Sequence, residues 1–532
     1  MAWCALGDSA WLFEPLDGGR IDRREAVLRM ARLLESEPIP GMTDVVTAYE
    51  TVAVHFDPAD GEEVLERLQA LAPPEAFGGA AATAAKVVEI PVAYGGTDLE
   101  EVAERLGRSP DEIAALHSGA SYQVAAIGFS PGFPYLTGLP EQLRIGRKAS
   151  PGKVEAGSVA IAGGQAGIYP FDSPGGWWVL GRTPALLFDP GRDEPSLLKA
   201  GDRVRFVPTD SPPRVDIAED TPMHGSCEVL DPGGLCVIED LGRPGFQHAG
   251  VSPGGAADPV SARVANLLLG NPEDTAVLEC CLRGPKLLFH ESTRVAWTGW
   301  NDGGRPVRIA AGETLDLGRP PAAVRGYLAV DGGFGIPSQL GSRSTDVRAG
   351  FGGLQGRTIA PGDRLPVGAV KNDLASADWK VGWPRAPRPD MPLEIRVLPG
   401  MQAAWFADEA FEILLHATYQ IGAMSDRMGL RLDGPKLTAG AREMTSQPVV
   451  AGSIQVPPDG TPIILLAERQ TLGGYPQIAH VVSADLPALG RAWPGTALRF
   501  RQVTLEEARD AWEELQRELA LLRTGLSFHT KP

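Results

Sequence analysis

The sequence predicts a β-rich α+β protein in which one β unit occurs twice, with a small α/β segment ahead of the first copy and a helix behind the second. Three observations carry this expectation. The 532 residues include 64 glycines and 47 prolines, above ordinary usage and spread along the chain, as many short strands joined by turns require. Residues 156–161 read AGSVAI and 451–456 read AGSIQV; each is followed by Gln, glycine and Tyr-Pro, at Gln165, Gly167 and Tyr169-Pro170 and at Gln470, Gly473-Gly474 and Tyr475-Pro476. Between the copies, PTDSPPRVDIAEDTP at 208–222 has almost nothing apolar to bury and reads as a linker.

Taken in order, residues 1–82 form the small α/β unit: a helix over 22–37, a strand over 45–56, a second helix over 61–71, then the linker PPEAFGGAAATAA. The first β unit, 86–208, opens with a strand at 87–92 and two helices. Thr97 to Glu100 reads as a capping box, and Ser109-Pro110-Asp111-Glu112 adds Pro at the first helical position. After the linker (209–223) comes a β-rich unit at 224–385, and the recurring prolines of WPRAPRPDMP (383–392) mark a weaker boundary. The second β unit, 391–525, opens with a strand at 393–398 and has more residues between its serine and tyrosine, so it is expected to carry a longer hairpin. It ends in a helix over 504–522 whose Leu505, Ala508, Trp512, Leu515, Leu519 and Leu522 share one face, expected to dock on its own domain.

Charge and cysteine content exclude several functions. A net charge of −18 opposes the counterion release that drives nucleic-acid binding, and no basic stripe with interleaved aromatics offsets it. Five sparse cysteines, with no CxxC pair, indicate neither a disulfide framework nor a zinc knuckle and suit a reducing cytoplasm. The N-terminus lacks a signal-peptide pattern, and no apolar run approaches the ~18 residues of a membrane span.

Several segments could carry chemistry. GFSPG, Gly128 to Gly132, matches a nucleophile-elbow pattern, but Pro131 and Pro134 oppose the helix an elbow needs, so Ser130 is read as part of a turn. Arg144, Arg147, Lys148 and Lys153 crowd an acid-free loop near Gly163-Gly164 and Gly175-Gly176; such a loop could grip phosphate, or could be paired to the acidic surface. SDRMGLRL places Asp426, Arg427 and Arg431 close together, either as a site or as a structural Asp–Arg network. EDLGRPGFQHAGVSPGGAAD (239–258) holds five glycines with Asp240, Arg243, His248 and Asp258, allowing close backbone approach to a ligand or simply making turns. His117 could be an acid/base or a cation at a helix C-terminus. The repeated elements put forward Gly164, Gln165 and Tyr169, with Gln470, Gly473, Gly474 and Tyr475, as ligand-contacting positions. There is no P-loop, dinucleotide fingerprint, HExxH or kinase signature. The residues alone thus describe a duplicated β-rich protein that binds a small anionic ligand.

The longer motifs carry a resemblance. HSGASYQVAAIGFSPGFPYLTGL, EAGSVAIAGGQAGIYPFDSPGGWWVLGRTP, LLFDP and GDRVRF resemble the B-type subunit of bacterial 5-oxoprolinase, also known as allophanate hydrolase subunit 1. EDLGRPGFQHAGVSPGGAAD, ANLLLGNPEDTAVLE, GYLAVDGGF, GSRSTD, SDRMGLRL and GSIQVPPDGTPIILLAERQTLGGYP resemble the C-type subunit, or allophanate hydrolase subunit 2. The resemblance implies two cyclophilin-like β-barrels and ATP- and Mg²⁺-dependent opening of 5-oxoproline to glutamate. It also implies a separate partner, the A-type subunit of 5-oxoprolinase, with a small lactam or amide as substrate and the oligomeric state open. On that reading the loop 144–153 would serve the phosphates, with Arg243, Arg431 and the repeated Gln, Gly and Tyr positions lining the substrate and nucleotide sites. His117, Asp240, Asp426 and Arg427 would act in catalysis, and Asp240 or Asp426 would hold the metal.

The chain departs from the family pattern at Gly152, where an arginine is usual, at Glu468 and Leu472, where Asp and Thr are usual, and at Trp300, where Thr-Gly-Ala is usual and a pocket is expected nearby. Two other readings stand beside this one. One is the carboxyltransferase of a urea carboxylase, although this chain has no Met-Lys-Met biotinylation site. The other is a regulator of the histidine-kinase-inhibitor type.

Overall fold

A computed structural model describes residues 2–15, 22–71, 86–210, 225–300, 303–318, 323–368, 377–382, 391–440, 442 and 444–530. The linker at 73–85, nearly all of that at 208–222 and most of 383–392 lie outside these. The N-terminal segment is a four-stranded sheet ordered Ala2–Ala5, Ala10–Glu14, Val52–Phe56, Met42–Thr47. Helix Arg23–Ser36, capped by Asp22, and helix Gly61–Ala70 pack on it. The single strand expected over 45–56 is instead a hairpin, reversed by a turn in which Ala48 N–H bonds the Thr51 carbonyl. Its apolar residues run through the turn because Tyr49 is itself buried, which hides the break from pattern reading.

Two closed seven-stranded barrels follow the same course. In the first, Val87–Tyr94 lies parallel to Arg203–Pro208 and antiparallel to Trp178–Arg182. Ser158–Ala162, Gln165–Ile168, Pro134–Thr137 and Tyr122–Ile127 complete the ring. In the second, Leu393–Pro399 lies parallel to Ala497–Gln502 and antiparallel to Gln477–Val481. Ser453–Gln455, Ile463–Leu465, Gly429–Asp433 and Tyr419–Ile421 complete it. Identical cyclic order, including the one parallel pair, marks a duplication, and Ser158 and Ser453 open equivalent strands.

The Tyr-Pro elements, however, are not equivalent. Gln165–Ile168 is a barrel strand whose counterpart is Ile463–Leu465, whereas Leu472–Gly473 pairs with Gln447–Pro448. That ribbon corresponds to Gly152–Val154 with Ser173–Gly175 in the first barrel. Gly473-Gly474 therefore matches Gly175-Gly176, and Tyr475 has no kinship with Tyr169. Short motifs align by composition, whereas the register follows the ladder.

Between the barrels lie a four-stranded sheet (Thr314–Asp316, Lys286–Phe289, Cys227–Asp231, Arg364–Leu365) and a five-stranded one (Leu235–Glu239, Val277–Cys281, Arg325–Val330, Thr293–Thr298, Val307–Ile309), with helix Pro259–Leu269 against the latter. Trp300 is buried in this core, where a Cβ added to Gly326 would lie 1.9 Å from its ring; it fills the core and lines no described pocket.

The box at Ser109 and Glu112 forms as expected. The one at Thr97 does not: helix Leu99–Leu106 begins after Asp98, whose carboxylate takes the Val179 N–H and pairs with Lys148. The C-terminal helix Leu505–Thr530 docks on more than its own barrel. Ala508 packs with Leu398, Val482 and Val503, while Leu515, Leu519, Leu522 and Leu526 cover helix Pro259–Leu269. Arg509 pairs with Glu62 and Trp512 donates to Asp57, so the helix also straps the N-terminal sheet. All five cysteines are free thiols. Among the described residues no helix is long and apolar enough to cross a membrane.

Candidate functional site

The barrels meet through the turn GFSPG. A Cβ on Gly128 would lie 2.5 Å from Leu472 of the second barrel, so only glycine allows that approach. Strand Pro134–Thr137, and no helix, follows, which leaves Ser130 on a turn. Beside the seam lies a cleft of about 380 Å³ with largely aliphatic walls, among them Val237, Val324, Ile421 and Leu430. A smaller cavity of about 270 Å³ is lined by Ser130, Asp172, Ser173, Asp346 and Gln470. Arg348 and Glu468 border both.

At the base of the larger cleft, Arg427 is enclosed by acids. Its Nε donates to Glu468 Oε1 at 2.6 Å, Nη2 lies 3.1 Å from Glu239 Oε1 and bonds the Gly255 carbonyl at 2.7 Å, and Nη1 pairs with Glu279. Arg325 Nε lies 3.2 Å from the same Glu279 oxygen, whose partner oxygen accepts from Ala257 N–H and the Tyr327 hydroxyl. Three carboxyl groups thus face two guanidinium groups in a region of low dielectric. Burial pushes Glu239 well above the usual carboxyl range, aided by Glu279 and Glu468. Burial also opposes ionisation of Glu279, but Arg427 and Arg325 outweigh it and hold that group below its usual value. Burial thus disfavours a charge on Glu239, whereas Glu279 keeps its charge beside the two guanidinium groups, the pairing a buried network needs.

Asp240 and Arg243 build the loop 341–353 that forms the septum. Asp240 Oδ1 accepts from Ser342 Oγ and Ser344 Oγ, each at 2.6 Å, and from Gly242 N–H at 2.8 Å, while Oδ2 accepts from Arg343 N–H at 2.6 Å. Arg243, fully buried, donates to the Ser344 carbonyl and lies over the Phe351 ring. Asp346 closes the tip, exchanging backbone bonds with Phe351 and accepting from Ala349 N–H.

The expected site residues therefore divide. Asp426, Arg427 and Gln470 line the two cavities. Asp240, expected to hold metal, takes three donors on Oδ1 and the Arg343 N–H on Oδ2, and Asp426 spends Oδ1 on the backbone N–H groups of Met428 and Gly429. Among the described residues no set of three His, Cys, Asp or Glu could hold a metal ion. Arg431 is exposed on strand Gly429–Asp433 and lines neither cavity. Gly473 is buried, while Gly474 and Tyr475 are exposed on the adjoining ribbon.

His117 is a correction. It is fully buried, stacked on Phe206, with Nδ1 bonded to the Tyr94 hydroxyl, and burial depresses it to about 3, so it is a neutral packing group. The basic loop is largely paired: Lys148 with Asp98, Lys153 with Asp172, Arg144 with Glu141. Arg147 is exposed near the buried Tyr49, Tyr135 and Tyr169, and Gly164 and Gln165 sit on the adjoining hairpin. Tyr169 lies in the aromatic seam with Phe133 and Trp177. Sequence reasoning missed Glu239, Glu279, Arg325 and Arg348. A carboxylate inside an apolar strand, as in VLECC, was the available signal for Glu279.

A further cleft, of about 510 Å³, holds His248, whose Nδ1 lies 2.9 Å from Asp44 of the N-terminal sheet. Burial opposes charge on both, but their mutual bond holds His248 above and Asp44 below its usual value. The pair stabilises the seam below the pH at which folded His248 loses its proton and above that at which Asp44 gains one. His248→Ala is expected to lower the melting temperature at pH 6 and much less at pH 8.5; equal losses would contradict this.

Comparison with known proteins places this architecture. Two barrels of one topology beside a charged cleft define a carboxyltransferase-type protein: the family models "Carboxyltransferase domain, subdomain C and D" and "subdomain A and B" match residues 1–198 and 249–502. The chain is 35% identical over 308 residues to the C-type 5-oxoprolinase subunit of Escherichia coli K12, covering 54% of this chain and 95% of that one. It is 41% identical over 219 residues to the B-type 5-oxoprolinase subunit of E. coli O157:H7, covering 38% and 94%. The chain belongs to this family of B- and C-type 5-oxoprolinase subunits, with the B-like and C-like parts in one polypeptide. The crystal structure of TTHA0988 superposes with a TM-score of 0.79 at 36% identity, covering 92% of this chain and 99% of that one. Urea amidolyase of Lachancea kluyveri is 30% identical over 56% of this chain, but only 18% of that protein is matched.

Proposed function

We propose that the chain supplies the B and C parts of an ATP-dependent amide hydrolase of the 5-oxoprolinase type, opening 5-oxoproline to glutamate with a separate A-type subunit. The observation that carries this reading is that one chain matches nearly the whole of both other subunits. A lactam carbonyl is a poor electrophile; phosphorylation of its oxygen by ATP, with release of ADP, activates the carbonyl carbon. Water adds there, the C–N bond breaks with the ring nitrogen leaving as the amine, and hydrolysis of the resulting acyl phosphate gives glutamate and phosphate. Such chemistry rests on positioning and electrostatics more than on a covalent nucleophile. Asp240 and Asp426 do not fit a resident Mg²⁺, so no step is routed through a bound metal. The acids and guanidinium groups around Arg427 supply a fixed, ion-paired base for the cleft.

The measurement is ADP release by the purified chain with Mg-ATP, with and without 5-oxoproline and the A-type partner. Stimulation by 5-oxoproline is expected; none would overturn the reading. A second reading, carboxyl transfer from a biotin carrier, is favoured by the family models and the urea amidolyase similarity. It predicts carboxyl transfer from carboxybiotin and no ADP release by the chain.

A further inference from the structure

Among the charged groups around the two cavities, Arg348 stands apart. Arg427 is engaged by three carboxyl groups and the Gly255 carbonyl, and Arg325 by Glu279 and the Gly490 carbonyl, whereas the Arg348 guanidinium donates to the thioether of Met428, at 2.7 Å, and among the described residues has no carboxylate partner. An exposed arginine normally needs no explanation, but this one sits at the tip of a loop held by buried groups. Asp240 takes four donors of the surrounding backbone and side chains, Arg243 is spent on the Ser344 carbonyl, and Asp346 and Phe351 close the turn on either side of it. Buried charge invested in one loop fixes where its tip points. Glu468, which lines the same two cavities, gives Oε1 to Arg427, while its Oε2 accepts no hydrogen bond among the described residues.

We propose that Arg348 is the carboxylate anchor of the cleft, and that the ligand is a small cyclic amide bearing a carboxylate. The carboxylate pairs with Arg348, the ring N–H donates to Glu468 Oε2, and the ring carbons lie against the aliphatic wall of Val324, Ile421 and Leu430. This assigns the lactam to the C-like half and rests on the hydrolase reading above. It also gives the longer acid at 468 a use: its reach lets one carboxylate serve both Arg427 and the ligand.

The test is equilibrium dialysis of the full chain against 5-oxoproline and 2-pyrrolidinone, the same ring without the carboxylate. The wild-type chain is expected to favour 5-oxoproline by about 10- to 100-fold, the range of a charge-assisted hydrogen-bonded pair. Arg348→Ala should bring 5-oxoproline down to the level of 2-pyrrolidinone, Arg348→Lys should restore part of the difference, and the melting temperature should stay unchanged. Equal binding of the two rings by the wild-type chain, or undiminished preference in Arg348→Ala, would overturn the anchor. ADP release separates the two claims. If 5-oxoproline stimulates it with the same KM in Arg348→Ala, the anchor falls and the hydrolase reading survives. If the wild-type chain shows no stimulation but binds the carboxylated ring through Arg348, the anchor stands and the hydrolase reading falls.

Discussion

Arg427→Ala is expected to be the most damaging single substitution in the second half of the chain, costing about 3–5 kcal/mol because it strands buried carboxylates. Glu279, held ionised by Arg427 and Arg325 together, would keep one partner; Glu468 and Glu239 would have neither. Burial disfavours the charged form of Glu239 whereas the two arginines favour that of Glu279, so Glu279 has more to lose than Glu239. Arg427→Lys keeps the charge but cannot address three acids and the Gly255 carbonyl at once, and should lie between alanine and wild type. Thermal unfolding followed by near-UV circular dichroism reads both. A loss under about 1 kcal/mol for the alanine variant would mean the network is not the desolvated cluster described above.

The second large effect is expected at Asp240. Its removal in Asp240→Ala leaves the Ser342 and Ser344 hydroxyls and the Arg343 and Gly242 N–H groups without their acceptor, at about 3 kcal/mol or more. Because those groups set the loop 341–353, amide hydrogen exchange there should rise by roughly tenfold or more while the first barrel keeps its protection. A metal ligand would behave differently: its loss would leave exchange in the loop unchanged. Asp240→Asn, which retains one acceptor oxygen, should be intermediate.

Duplication, strand-rich architecture and the motif holding Arg427 were legible because each is written in local sequence. What could not be read there depends on which distant group arrives. His117 ends a helix, which suggests a cation, but the barrel wall closes over it and burial decides its charge. Lys148 looks free until Asp98 reaches it from fifty residues away. Asp240 looks like a ligand because its neighbours are glycines, yet those turns let the backbone and serines of a remote loop surround it. The Tyr-Pro repeat failed for a related reason: the second barrel has the longer hairpin that its spacing predicted, but its Tyr-Pro follows the ribbon strand Leu472–Gly473, whereas Tyr169-Pro170 precedes Ser173–Gly175, so composition aligned two elements that the ladder separates. Glu239 and Glu279 were visible as acids in apolar strands, but nothing local says that they share one arginine.

The central claim is that this single chain performs what two subunits perform elsewhere. Its most direct test is glutamate formation from 5-oxoproline, ATP and Mg²⁺ in a mixture of this chain and the A-type 5-oxoprolinase subunit, with no other protein present. The account predicts glutamate in step with ADP, lost when either protein is omitted. Glutamate that appears only after separate B- and C-type proteins are added would contradict it.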